Sequence, residues 1–381
     1  MHIHNHKALA HDTEHLYALD GFRALLAIWV YLGHLSNAVG YQNYVLGMHA
    51  LAVDLFMVLS GFLMVQTWGR VLLSEQTTSA RVLHFFKGRF FRIAPLYYFL
   101  LIICYLFLQP LTTMADSIQK VMPPPWAQGL VEYYPSAGWD FNSLNWLYLH
   151  ITFLYGLVPG MVSSTPLPDW SLSLEMQFYL VFPLLFLLSI RCPLVLLATI
   201  AAFLCFLAPL YLGNYLSPGS IAHFGQPSVL PYRLNAFLAG MLIANLYSLQ
   251  LAKALRLKKA VIILLSCAIC VLPLTKPVIL LYTVLILIIL RKVPLIVSIL
   301  SIRPLRLLGN ISYSIYLVHL VAVIPITYWL FSVDGFLPLS PLNRFAIALS
   351  VSTPSVFLVS FFLFRYIEIP FINIGKRIAI K

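Results

Sequence analysis

Acids are scarce in this chain: 12 Asp and Glu among 381 residues, against 24 Lys and Arg, and only 9% charged residues in all. A soluble domain carries about 25% charge, so the soluble globular classes are excluded. Cysteine is nearly as sparse, with 5 in the whole chain, which excludes a disulfide scaffold. The sequence starts with polar, His-rich residues and lacks a basic n-region, an apolar h-region and a cleavage site. No cleaved signal peptide is expected, nor any appended soluble domain or internal repeat. What is plentiful is apolar: 61% of residues, with a mean hydropathy of +0.90. That excludes disorder and leaves a polytopic membrane protein. The formal charge of +12 needs no nucleic acid, because the positive-inside bias of membrane loops produces it.

Eleven apolar helical stretches stand out, near 21–38, 45–66, 93–110, 146–162, 171–189, 193–212, 231–250, 260–274, 277–290, 307–331 and 344–364. Basic residues decide which of them cross. The loop 67–92 carries Arg70, Arg81, Lys87, Arg89 and Arg92, and the segment 251–259 carries Lys253, Arg256, Lys258 and Lys259. Both belong in the cytoplasm, so an even number of crossings joins them, yet five candidates lie between. The weakest is 146–162, which is short and interrupted by His150, Thr152, Gly156 and Pro159. It is expected to be re-entrant or to lie on the surface, shielded by protein. With it removed, Arg191, the cluster from Arg291 to Arg306 and the C-terminal bases all become cytoplasmic. Lys120, Arg233, Lys276 and Arg344 then fall outside.

The expected fold is therefore all-α, a helical bundle of about ten transmembrane helices plus one re-entrant or surface segment, with both termini cytoplasmic. Residues 1–18 form a tail, 19–368 the membrane domain, and 369–381 a basic tail. An extracytoplasmic loop spans 111–170 and includes the segment 146–162. Its aromatics Trp126, Tyr133, Tyr134, Trp139 and Trp146 suit an interfacial belt better than a sugar platform.

Ionisable groups within spans are costly and usually functional. Arg23 and His34 are eleven residues apart, about 1,100° of helical rotation, so both lie on one face and are separated by roughly 16 Å. Arg23 equally suits snorkelling to inner headgroups, and His34 the outer interface. Asp54, in the outer half of the second span, needs a partner because an unpaired buried charge is expensive; Ser60 and Gly61 read as close-packing residues. In DWSLSLEMQFY, Asp169 to Tyr179, the residues Ser171 and Glu175 share a face, although a capping box would use the same types. Ser312, Tyr316 and His319 make a polar stripe on an apolar helix, and a helix–helix contact explains the first two. Arg89 and Arg92, at i and i+3, suit a diphosphate or a phosphorylated adenosine; anchoring to anionic lipid explains them as well. Two features are set aside. His2, His4, His6, His11 and His15 offer a metal no fixed geometry, and Cys267-x-x-Cys270 lies in an apolar span where packing is its role. No metal is expected.

Taken together, these blocks resemble the acyltransferase-three family of multispanning O-acyltransferases. The matching residues are Leu19-Asp20-Gly21 with Arg23-x10-His34, Val53-Asp54-Leu55-Phe56 through Ser60-Gly61-Phe62, and Arg89-x-x-Arg92 before Pro95-Leu96-Tyr97-Tyr98. Trp170-Ser171-Leu172-Ser173-Leu174-Glu175-x-Gln177-Phe178-Tyr179 and the stretch from Gly309 to His319 complete the ordered set. Met176 stands where the family commonly has a second acid, and the frequent C-terminal esterase-like domain is not expected here.

The resemblance implies transfer of an acyl group, typically acetyl from acetyl-CoA, to a hydroxyl of a carbohydrate-containing acceptor, in the inner (plasma) membrane of a bacterium. Arg23, Arg89 and Arg92 would hold coenzyme A phosphates. His34, oriented by Asp54 or Glu175, would be the general base, an assistance worth about 10²–10⁴ in rate. Trp170, Ser171, Tyr316 and His319 are substrate-binding or structural polar residues. The alternatives are a transporter or flippase for a lipid-linked glycan, and a non-catalytic membrane subunit of a glycan-assembly complex. Paired halves with interrupted helices would mark the transporter, and none is visible.

Overall fold

The structure is a computed structural model that describes residues 14–72, 78–122, 143–159, 161–211, 224, 226–251, 255–270 and 276–380. The His-rich stretch up to His11, and Trp126, Tyr133, Tyr134 and Trp139, lie outside the described residues. Every regular element among them is helical. In chain order the α-helices longer than one turn are α1 (Glu14–Ala38), α2 (Ala50–Leu72), α3 (Thr78–Leu106), α4 (Leu108–Val121), α5 (Leu144–Ile151), α6 (Trp170–Arg191) and α7 (Leu194–Tyr211). They continue with α8 (Leu234–Leu251), α9 (Leu257–Cys270), α10 (Lys276–Ile289), α11 (Pro294–Leu300), α12 (Arg303–Asn310) and α13 (Ser312–Phe331). The chain ends in α14 (Pro341–Leu363), a π-helical turn (Phe364–Glu368) and α15 (Ile369–Ile380).

Seven helices among the described residues are long and apolar enough to cross a membrane, and an eighth crossing arises if α10 and α11, bent by 87°, count as one span. The bilayer core is about 30 Å thick, and a residue adds about 1.5 Å. The 14-residue α9 and α10 and the slightly longer apolar stretch Leu234–Gln250 fall at or below the short end of that requirement. These three segments carry the difference from the ten expected. The last span runs unbroken from Pro341 to Arg377, so residues 369–380 continue a helix that packs along α3.

Burial sorts the helices into inner and outer. Between 61% and 67% of the apolar windows of α1, α2 and α13 is buried, against 22% for α7. On α7 the side chains of Leu196, Ile200, Phe203, Phe206 and Leu210 are exposed, an apolar exterior that suits lipid tails and not water. The inner helices meet at close range because glycine permits it. A Cβ on Gly61 of α2 would stand 2.1 Å from the Phe237 carbonyl oxygen of α8, and one on Gly240 of α8 would stand 1.9 Å from that of Val58. Each helix thus fits its backbone into the glycine notch of the other, a small-residue crossing of the membrane type. The block around Ser60 and Gly61 does perform packing, as the residue types suggest.

Residues 146–162 form no spanning helix. The 8-residue α5 is followed by two 3-10 turns, with Phe153, just before the first of them, in the left-handed region at φ 60°. Its irregular carbonyls are satisfied by protein: Tyr98 donates to Ile151 O at 2.5 Å, Ser173 to Phe153 O at 2.6 Å, and Ser228 to Gly156 O at 2.7 Å. Irregular backbone away from water is tolerated when its polar groups are satisfied in this way.

Candidate active site

The polar residues of α1, α2, α3, α6 and α13 converge on one cavity of about 320 Å3. Its basic end carries Arg23, Arg89 and Arg92, and its walls carry Ser60, Glu175 and Tyr179. Arg23 sits one turn after Asp20, 3.8 Å from that carboxylate. Arg89 donates to Thr67 Oγ1 at 2.7 Å, and its guanidinium carbon lies 5.9 and 5.8 Å from the ring centres of Phe85 and Tyr179. That geometry immobilises the guanidinium through cation–π contact while leaving donors for an anion. Arg92 makes no ion pair within 4 Å among the described residues.

Glu175 accepts hydrogen bonds from Ser60 Oγ at 2.8 Å and from the Tyr179 hydroxyl. The Tyr179 bond follows from the i, i+4 spacing on α6. The Ser60 bond joins two helices far apart in sequence, so the residue read as packing also furnishes a hydroxyl to the cavity wall. At the far end the Ser171 and Tyr316 hydroxyls are 2.8 Å apart. The Tyr316 ring meets Phe56 edge-on at 6.2 Å and lies 6.1 Å from His319.

Beyond that closure three imidazoles gather. His34 lies 5.2 Å from His319 and 4.6 Å from His49, centre to centre. His319 is fully buried and directs Nδ1 to the Ile315 carbonyl at 3.2 Å, and its Nε2 has no hydrogen-bond partner. If Nδ1 carries the proton for that bond, Nε2 is a free acceptor. His49 is half-buried, directs Nδ1 to Leu46 O at 2.9 Å, and packs over Gly33. Burial of its ring disfavours the imidazolium and lowers its pKa. Among the described residues no three His, Cys, Asp or Glu converge as metal ligands.

The structure thus brings Arg23, Arg89, Arg92, Glu175, Ser171 and Tyr316 to one cavity, with His34 and His319 just past its end. Asp54 is elsewhere: it pairs with Arg233 Nε at 2.8 Å, between α2 and the start of α8. Asp54 has a guanidinium as its counter-ion, and Glu175 is engaged with two hydroxyls lining the cavity. Trp170 is buried at the start of α6, in the hydrophobic core. Several residues here carried no signal at the level of spacing: Thr67, Tyr313, His49, Arg233 and Glu368. Of these only the acid offered a cue, since Glu368 stands alone in an apolar stretch, and it is 4% exposed and accepts from Ser314.

A second polar network holds the segment before α6. Tyr97 OH lies 2.7 Å from His150 Nδ1 and donates to Asp169 Oδ2 at 3.3 Å, Thr165 donates to the same oxygen at 2.9 Å, and Ser164 Oγ lies 2.9 Å from His150 Nε2. Burial pushes Asp169 up to about 8 and His150 down to about 3, because each charged form would lose its hydration. Burial thus favours the neutral form of each, in a network otherwise built of hydroxyls. It fixes the entry into the Trp170–Glu175 turn.

The acyltransferase-three family profile, an acyltransferase domain, matches residues 16–365. Protein 2 in the picA locus of Rhizobium radiobacter is 32% identical over 117 residues, which is 29% of this chain and 58% of that protein. O-acetyltransferase OatA of Staphylococcus aureus is 30% identical over 177 residues, 46% of this chain and 25% of its own length. Peptidoglycan O-acetyltransferase OatA of Listeria monocytogenes is 25% identical over 187 residues, 48% of this chain and 26% of its own. The aligned parts cover between a quarter and three-fifths of these relatives. No solved structure matches.

Proposed function

The chain belongs to the acyltransferase-three family, and from that premise we propose that it carries an acetyl group from cytoplasmic acetyl-CoA to a hydroxyl of a carbohydrate-containing acceptor of the cell envelope. One observation carries the reading: a single cavity has three arginines at one end and, past the Ser171–Tyr316 closure at the other, the imidazoles of His34 and His319. The basic end faces the cytoplasm by the positive-inside bias, in a multi-pass chain of ten spans with both termini inside. The printed names of the Staphylococcus and Listeria relatives, O-acetyltransferase and peptidoglycan O-acetyltransferase, support acetyl as the group and an envelope glycan as the acceptor class.

Arg23, Arg89 and Arg92 hold the donor's phosphates, since a guanidinium pairs bidentately with phosphate oxygens. The thioester arm then runs between Ser60, Glu175 and Tyr179 towards Tyr316. An acceptor hydroxyl attacks the thioester carbonyl as its proton passes to His34, the carbon–sulfur bond breaks, and the thiolate leaves. The proton held by His34 returns to the departing sulfur, so that donor and acceptor become an ester and free coenzyme A. His319, with Nε2 unpartnered, supports the same ring or the acceptor. Glu175 keeps the cavity wall hydrogen-bonded, and no metal is invoked.

Purified chain incubated with labelled acetyl-CoA and glycan acceptors tests this. His34→Ala is expected to lose about 10²–10⁴ in transfer rate with coenzyme A binding retained, and Arg89→Ala with Arg92→Ala to lose the binding. Wild-type transfer by the first variant, or wild-type binding by the second, contradicts the assignment.

A further inference from the structure

A second cavity of about 350 Å3 adjoins the first and shares Asp20, Arg23 and Arg92 with it. The rest of its lining comes from elements the reaction leaves unused: Asn310 at the end of α12, Phe364 and Glu368 of the π-helical turn, and Ile372, Asn373 and Lys376 of α15. Either cavity alone is at the small end of ligand sites, which run about 300–1,000 Å3. Asn373 and Lys376 are exposed, so the second cavity opens at the basic end of the bundle.

Its charges are arranged for an anion. Of the two acids, Asp20 is 3.8 Å from Arg23 and Glu368 accepts from Ser314. Of the cations, Arg92 and Lys376 have no carboxylate within 4 Å among the described residues. The Asn310 and Asn373 side chains add amide groups, and Phe364 offers an aromatic ring to a flat base. The π-helical turn is an independent pointer, because such turns are rare and recur at functional sites. Here one brings Phe364 and the buried Glu368 to the cavity and sets the register of α15, which carries Lys376.

We propose that this second cavity receives the phosphorylated adenosine end of the acyl donor. In this arrangement Arg23 and Arg92 sit at the junction, against the diphosphate, and Lys376 with Asn373 and Asn310 meets the phosphate on the ribose. The inference rests on the donor being acyl-CoA. It adds to that reading a residue set that discriminates a nucleotide thioester from a short one.

The full-length chain in neutral phosphatidylcholine nanodiscs provides the test. Binding of adenosine 3′,5′-bisphosphate, which carries no thioester, reads the cavity whether or not transfer occurs. Lys376→Gln is expected to weaken it roughly tenfold, as loss of a charge-assisted phosphate contact does, and Lys376→Arg to restore it. In transfer assays the same Gln variant raises KM for acetyl-CoA and leaves KM for acetyl-pantetheine and kcat unchanged. Equal effects on both donors, or bisphosphate binding indifferent to Lys376, overturn the proposal. So does a cavity that ignores the bisphosphate and takes up phosphatidylglycerol instead, which would make it a lipid headgroup site. Transfer that never draws on acetyl-CoA, with bisphosphate binding intact, would instead count against the donor reading.

Discussion

Asp54 and Arg233 are each about a quarter exposed and lie 2.8 Å apart, close enough that neither charge is stable in apolar surroundings without the other. Removing one strands its partner, so Asp54→Asn and Arg233→Gln are each expected to lower thermal stability, and the double variant to lose less than their sum. A double-mutant cycle on unfolding in detergent should give a coupling of roughly 0.5–3 kcal/mol, and strict additivity would contradict the pair. In the same preparations Asp54→Asn retains more acyl transfer than His34→Ala, because its counter-ion is Arg233. What was legible at this scale was local. Arg23 with His34, Arg89 with Arg92 and Ser171 with Glu175 follow from helical spacing, which a sequence displays directly. The bonds of Ser60 to Glu175 and of Asp54 to Arg233 join helices brought together by tertiary packing, and no spacing encodes them.

The segment from Leu144 to Asp169 shows how an element can be positioned by groups that carry no charge. Above pH 6.5 an unfolded histidine is neutral, as His150 already is in the fold. Asp169 then differs between the two states, protonated in the fold up to about 8 and ionised when unfolded. The unfolded state binds fewer protons, so stability falls as pH rises from 6.5 to 8, by at most about 1.4 kcal/mol per pH unit. Between about 4 and 6.5 the opposite differences at His150 and Asp169 offset each other, and the profile is flat. Asp169→Asn keeps an acceptor for Thr165 and is expected to remove the slope above 6.5. Thermal unfolding of both proteins across pH 5 to 9 measures this, and an unchanged slope in the variant would contradict a protonated Asp169. His150, Gly156 and Pro159 made it legible that this element would form no continuous spanning helix. The hydroxyl network that shields it was not, since Tyr97, Ser164 and Ser228 are ordinary residues until the fold brings them together.

The whole molecule is a multi-pass helical member of the acyltransferase-three family, in which α1, α2 and α13 form the most buried set, the polar cavity is shared with α3 and α6, and outer helices such as α7 present apolar side chains outward. Class and family were readable from hydropathy and ordered motifs, because both depend on composition and local spacing. The number of crossings was less so, since α9 and α10 are short and α10 bends sharply into α11. In the proposed reaction one chain takes acetyl from a donor on its basic face and, with His34 as the base, transfers it to an acceptor beyond the Ser171–Tyr316 closure. Sealed vesicles containing the purified chain test it most directly, with radiolabelled acetyl-CoA supplied on the Arg89 side and an oligosaccharide acceptor confined to the other. Ester-linked label is expected on the confined glycan, and is lost in His34→Ala. Label that reaches glycan only when donor and acceptor share a side, or that survives in His34→Ala, would contradict it.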